Sequence, residues 1–264
     1  MAAPGDRPGA TDPVAARILA DRRARRGFPD LGAEAPADVA AGYALQFRLA
    51  QAIGAVPPAG FKIGATAKGM QAYLGLEHPC AGFCPAEGIA AGSGRFRFAD
   101  LHQPGVECEI GIRLGRDIAH GAHTRESVED AVEHVFAAIE VVDQRYGDFI
   151  ALGAPGLIAD SVFHAGGVTG APASGWPGLD LPAARGRLLV DGVERAAGTG
   201  AELLGHPMEA LAWLASSPAA EMFGGLRAGQ VVFLGSVTPV IWLDGPCEVT
   251  AGFDLLGEAT ARFV

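Results

Sequence analysis

The chain is poor in the features that mark several functional classes. No apolar run approaches the roughly 18 residues that a membrane helix needs, so no membrane span is expected. The opening MAAPGDRPGATDP lacks the charged and then apolar pattern of a secretory leader. Positive charge is scarce: 20 Lys and Arg stand against 30 Asp and Glu, a formal net charge of −10 at pH 7. That leaves no basic footprint for nucleic acid or an anionic membrane. Cysteine is scarce as well. Cys80, Cys84, Cys108 and Cys247 are too scattered for a disulfide framework in 264 residues. The C-x3-C pair at 80 and 84 has no second Cys or His pair nearby to complete a zinc site. We read all four as reduced thiols of a cytoplasmic protein. G-x-S-x-G, P-loop and H-E-x-x-H motifs are missing, which removes support for serine nucleophiles, nucleotide loops and zincin chemistry. Internal repeats and low-complexity linkers are missing too.

What remains is a globular composition, 49% hydrophobic and 19% charged, with 38 Gly and 18 Pro implying many turns. Residues 1–12 read as a loose tail. DPVAARILADRRARRG fits a helix with Asp12 as cap, Pro13 at the first position and Gly27 at its end. PADVAAGYALQFRLAQAIG fits a second, with Tyr43, Phe47 and Ala50 on one face and Gly54 as stop. The basic run Arg22, Arg23, Arg25 and Arg26 reads as a solvated helix face. Residues 1–58 are therefore expected to be a helical N-terminal region.

Residues 59–264 change texture to a mostly β, mixed α+β body. GFKIGAT, GVECEIGIRLG and FAAIEVVD read as strands, and TRESVEDAVEHV between the last two as a helix capped by Thr124. GRLLVDGVERAAG reads as a hairpin turning at Asp191-Gly192, and HPMEALAWLASS as a helix capped by His206 with Pro207 first. GAPG at 153–156 reads as a turn. GQVVFLGSV, PVIWLDG and CEVTAGFDLLGEATARFV close the chain as strands.

Within GVECEIGIRLG, period two sends Val106, Cys108, Ile110 and Ile112 to one face and Glu107 and Glu109 to the other. Two carboxylates ~5–7 Å apart repel by roughly 2–3 kcal/mol at an effective dielectric near 20. On an open face water screens that; in a cleft it calls for a cation or a shared proton. Glu140, flanked by Ile139, Val141 and Val142, is a third acid in an apolar run, where an unpaired carboxylate is costly. Three acids in apolar strands favour an all-oxygen site for a hard cation, Mg2+ or Mn2+, over a solvated face. Lys62, between Phe61 and Ile63, reads either as an edge lysine reaching solvent or as a cation that grips an anionic substrate or moves a proton. His164, between Phe163 and a small-residue run, reads first as a core histidine and second as a cleft residue.

FKIGATAKGMQAYLG, GVECEIGIRLGRDI, AIEVVDQRY, LIAD and LGHPMEALAWLA resemble, in order along most of the chain, the 2-keto-4-pentenoate hydratase and 4-oxalocrotonate decarboxylase group of the fumarylacetoacetate hydrolase superfamily. The resemblance implies a mixed β-roll body, a helical N-terminal region and a homo-oligomer. It implies a divalent metal on Glu107, Glu109 and Glu140, Lys62 as the active-site lysine with Glu77 assisting, and Thr66, Asp160, Ser161 and His164 at the substrate. The implied reaction adds water to a 2-hydroxy-2,4-dienoate, giving a 4-hydroxy-2-oxo acid, in aromatic-compound catabolism. Decarboxylation of a 4-oxalocrotonate-type acid is the nearest rival, and a catalytically silent metal-binding member is a third reading. Three positions depart from the family pattern: Ala67 stands where Ser is usual, Glu77 where Asp is, and Ser161 where Asn is.

Overall fold

The computed structural model describes residues 12–264. The tail expected over 1–12 therefore lies, apart from Asp12, outside the described residues. Asp12 caps α1 (Pro13–Arg23) by accepting the N–H groups of Val14 and Ala15. The helix stops short of Gly27, because Arg25 takes a left-handed φ of 53° and turns the chain first. Asp38 caps α2 (Val39–Ala52), which ends ahead of the left-handed Gly54. β1 (Gly60–Gly64), α3 (Lys68–Leu74) and β2 (Cys80–Cys84) follow, then β3 (Ile89–Ala91), β4 (Ser93–Phe96) and β5 (Pro104–Leu114).

The helix expected from Thr124 is shorter than its apolar spacing suggests. α4 covers only Arg125–Glu129, and β6 (Val132–Asp143) begins where the helix was expected to continue. The β-branched Val132 and Val135 pair with Leu114 and Ile112 of β5, so strand pairing overrides the local helical pattern. α5 (Phe149–Ala159) contains the GAPG stretch, which is a kink inside a helix rather than a separate turn, with Gly153 at φ 70°. β7 (His164–Thr169), β8 (Arg185–Val190) and β9 (Val193–Thr199) come next. The last two form the expected hairpin, with Asp191 and Gly192 both left-handed as a type I′ turn requires. His206 caps α6 (Pro207–Ala215) through its ring, Nδ1 accepting the N–H of Met208. α7 (Pro218–Met222), β10 (Val231–Ser236), β11 (Ile241–Trp242), β12 (Cys247–Phe253) and β13 (Gly257–Phe263) complete the chain.

The strands form two sheets. The larger, of mixed direction, runs β2-β1-β10-β5-β6-β7-β3 with β11 added to β5; the smaller runs β4-β13-β12-β8-β9. Period two divides the central pair β5 and β6 into two unlike faces. One carries Val106, Cys108, Ile110, Ile112, Val135, Ala137, Ile139 and Val141, all buried in the main core with Val249, Ala251, Ala259 and Ala261 of the smaller sheet. Each larger aliphatic side chain there contributes about 1.5–3 kcal/mol by leaving water. The other face carries the acids beside a small apolar cluster of Cys84, Phe136, Ala138, Val231 and Phe233. The main core thus fixes the register that sets the acids on the opposite face. Among the described residues no helix is long and apolar enough to cross a membrane, and all four cysteines are free thiols.

Candidate metal centre and active site

Glu140 on β6 lies directly opposite Glu107 on β5, with Glu109 two residues further along the same face. One oxygen from each of the three lies within 4.8 Å of the others. Opposite ligands of an octahedral ion at about 2.1 Å lie about 4.2 Å apart, so the spacing suits Mg2+ or a slightly larger hard cation. Glu109 and Glu140 are fully buried and Glu107 is half-buried, so the cluster is accessible on the Glu107 side.

The surroundings occupy one oxygen of each fully buried carboxylate and leave the other open. Glu109 Oε2 accepts the N–H of Gly235 at 2.9 Å. Gly235 has φ 120°, and a Cβ there would come within 2.7 Å of Thr66 Cγ2; glycine permits both the bond and the approach of Thr66. Glu140 Oε1 accepts from His164 Nδ1 at 2.9 Å and is 3.2 Å from Lys62 Nζ. Glu109 Oε1 and Glu140 Oε2 are buried with no hydrogen-bond partner. Such orphaned oxygens are costly in a protein interior, and a cation shared among the three carboxylates would satisfy both. The donor set, all oxygen and all carboxylate, fits a hard divalent ion.

The electrostatics agree. Burial first, then the charge of Glu140, pushes Glu107 up to about 8. Burial, then Glu140 and Glu107, raises Glu109 well above the usual carboxylate range. Burial also acts to raise Glu140, but Lys62 and then the His164 hydrogen bond outweigh it and hold it below that range. Lys62 is 2% exposed; burial acts to lower it, but Glu140 and Glu107 dominate and keep it protonated. Without a cation, burial and mutual repulsion therefore favour the protonated forms of Glu107 and Glu109, and a metal ion competes with those protons.

A second buried acid has the opposite surroundings. Asp160, at the end of α5, accepts from Arg22 Nε at 3.0 Å, from Tyr146 Oη at 2.7 Å, and from Nη2 of both Arg22 and Arg145. Its backbone carbonyl accepts from Arg22 Nη2 at 3.2 Å. Burial acts to raise Asp160, but Arg22 and then Arg145 hold it below the ordinary range. This corrects one expectation: Arg22 is an ion-pair partner of a buried aspartate rather than part of a solvated face. Both oxygens of Asp160 accept from protein donors. The next three residues, Ser161, Val162 and Phe163, have φ of 57°, 51° and 66°. Left-handed backbone costs about 1–2 kcal/mol for each such residue, so this turn is held by its surroundings.

A cleft of about 220 Å3 opens beside this turn, lined among others by Arg22, His102, Asp143, Arg145, Ser161 and His164. Ser161 Oγ and His164 Nε2 are buried without a hydrogen-bond partner. Of the residues picked out from the sequence, Lys62, Glu107, Glu109, Glu140 and His164 converge, and Thr66 borders them through Gly235. Ser161 reaches the adjoining cleft. Glu77 does not join them: it is exposed in the loop between α3 and β2, and its side chain makes no ion pair with Lys62. Ala67 is the cap residue of α3 and supplies no side-chain hydrogen bond there. Arg22, Arg145 and Tyr146 are not among the site residues that the sequence points to. The signal was present in Q-R-Y after β6 and in the arginine run, but only the fold shows that both reach Asp160.

Fold and site together define a class, an α+β protein whose larger sheet presents three convergent carboxylates and a buried lysine on one face. Residues 78–264 match the model of the fumarylacetoacetate (FAA) hydrolase C-terminal family, and the chain belongs to that family. It is 36% identical over 205 residues to a 2-keto-4-pentenoate hydratase of Burkholderia vietnamiensis, covering 77% of each chain. Two solved structures of 4-oxalocrotonate decarboxylase from Pseudomonas putida G7 share the fold. The one complexed with magnesium and adipate matches with a TM-score of 0.86 at 24% identity, over 95% of this chain and 96% of that one. The one complexed with calcium and acetate matches with a TM-score of 0.83 at 26% identity, over the same shares.

Proposed function

We propose that the protein is a hydratase that adds water to a 2-hydroxy-2,4-dienoate, with a divalent ion held by Glu107, Glu109 and Glu140. The observation that carries the reading is the pair of orphaned oxygens, Glu109 Oε1 and Glu140 Oε2, beside a buried protonated lysine. The hydratase relative supports the choice of reaction. A bound ion would supply Lewis acidity and neutralise the carboxylate and 2-oxygen of the substrate, in a protein otherwise acidic.

The chain's own residues supply the rest. Lys62, dry and charged beside Glu140, moves protons between the 2-hydroxyl and the terminal carbon, so that the dienol becomes a conjugated 2-oxo acid. Water then adds at the fourth carbon and a proton at the third, giving the 4-hydroxy-2-oxo acid. Thr66 beside Gly235, and Ser161 and His164 at the cleft, are placed to border the substrate. Glu77, exposed on its loop, is left out of the proton path. Decarboxylation is the second reading, favoured by the similarity to the decarboxylase structures over nearly the whole chain.

Product analysis by mass spectrometry separates them. The protein is incubated with 2-hydroxypenta-2,4-dienoate and, separately, with 4-oxalocrotonate, each with Mg2+ or with EDTA. Metal-dependent gain of one water by the first substrate is expected. Loss of CO2 from the second alone would replace hydration by decarboxylation, and no change in either would point to the catalytically silent reading.

A further inference from the structure

The Asp160 cluster and the glutamate cluster meet at one side chain, His164. Asp160 directly follows α5, and the backbone closes that end with Ser161 N–H on Ile158 O at 3.1 Å and Val162 N–H on Leu157 O at 2.8 Å. The left-handed run continues through Phe163, whose carbonyl accepts from Asp143 N–H at 2.9 Å. It also lies hard against β2: a Cβ at Gly82 would sit 2.5 Å from the Ser161 carbonyl oxygen. The His164 N–H then returns to Ser161 O at 3.0 Å, and its ring meets Glu140 Oε1. A carboxylate only accepts, so His164 Nδ1 is the donor. With Lys62 on the same oxygen, both protein contacts fall on Oε1, and Oε2 is the one left open.

We infer that His164 is a positioning residue for Glu140, and that the grip of Arg22 and Arg145 on Asp160 holds the left-handed turn that puts it there. A carboxylate donated to from one side cannot exchange its two oxygens freely, so Oε2 stays presented to the cation. Helix α1, through Arg22, then supports the active centre from the far side of the Asp160 cluster. The inference rests on the reading of the glutamates as a cation site, and Mn2+ titration of the metal-stripped full chain keeps the two apart.

Calorimetry on the wild type comes first: an absence of Mn2+ binding overturns the cation reading and this inference with it. Given binding, His164→Leu removes the donor and lowers Mn2+ affinity by roughly 10–100-fold, the usual effect of losing a residue that orients a ligand. His164→Asn keeps an amide donor near the Nδ1 position and recovers most of the affinity. His164→Gln carries its donor to the Nε2 position and does not. A purely structural histidine would not rank Asn above Gln. Arg22→Met, remote from the glutamates, weakens Mn2+ in the same direction while the near-UV circular dichroism stays native. Affinity unchanged within about twofold in either His164→Leu or Arg22→Met overturns the inference while leaving the cation site in place. Should Arg22→Met fail to fold, the ranking of Asn, Gln and Leu at position 164 decides alone.

Discussion

At Asp160 one buried carboxylate meets two arginines and a tyrosine, whereas at Glu107, Glu109 and Glu140 three carboxylates meet one lysine and one histidine. The first cluster is complete. Each oxygen of Asp160 has a donor, and the acid is held ionised. The second is deficient in positive charge, with two buried oxygens unpartnered and two acids pushed up toward neutrality or beyond. Glu109, Glu140 and Asp160 are equally buried, so among these three the partners make the difference. A closed cluster stabilises the fold, and an open one is fit to take a cation.

The comparison can be broken in steps. The largest effect is expected at Lys62, the open cluster's main positive charge. Lys62→Ala should lower turnover by roughly 10²–10⁴-fold, as for loss of a proton-transfer group, while Mn2+ still binds. Undiminished turnover would remove Lys62 from the chemistry. Asp160→Asn should cost about 3–5 kcal/mol in denaturant unfolding, because two arginines lose a buried partner charge. A neutral result would mean that the closed cluster is not holding the fold. Glu109→Gln should instead leave the metal-free protein at least as stable as the wild type at alkaline pH, since it removes a repelling acid. It should weaken Mn2+ by more than the roughly 10–100-fold typical of losing a supporting residue.

A further effect is a slope with pH. Glu107 is raised from 4.5 to about 8 in the fold. Between those values the unfolded chain has released a proton that the fold retains, so metal-free stability should fall as pH rises. Asp160, held low, contributes in the opposite sense: its stabilisation is present above the ordinary carboxylate range and lost as pH falls through its folded value. Saturating Mn2+ should abolish the first slope and leave the second, as read from denaturation midpoints across pH.

The open cluster was more legible in the sequence than the closed one. Glutamates at 107, 109 and 140 interrupt apolar period-two runs, and an interruption of that kind is visible locally. Lys62 between Phe61 and Ile63 is the same signal. Asp160 was noticed through resemblance alone, and its partners were hidden because Arg22 and Asp160 are joined only by tertiary folding. Arg22 looks like any other arginine on a polar helix until α1 and α5 are packed. The boundary between α4 and β6 failed for a related reason. Val128, Ala131, Val132 and Val135 keep a helical spacing, and only pairing with β5 shows that the last two belong to a strand. Glu77 differs again, because its place came from a motif, and the loop after α3 sets its side chain in solvent away from the other acids.

The claim on which the rest depends is that the three glutamates hold one divalent ion. Metal-stripped protein titrated with Mn2+ by calorimetry, at neutral pH in two buffers of different ionisation enthalpy, tests it directly. Binding of one ion per chain, with protons released to the buffer as Glu107 and Glu109 give theirs up, is the expected result. Absence of saturable binding, or binding that Glu109→Gln leaves intact, would contradict it.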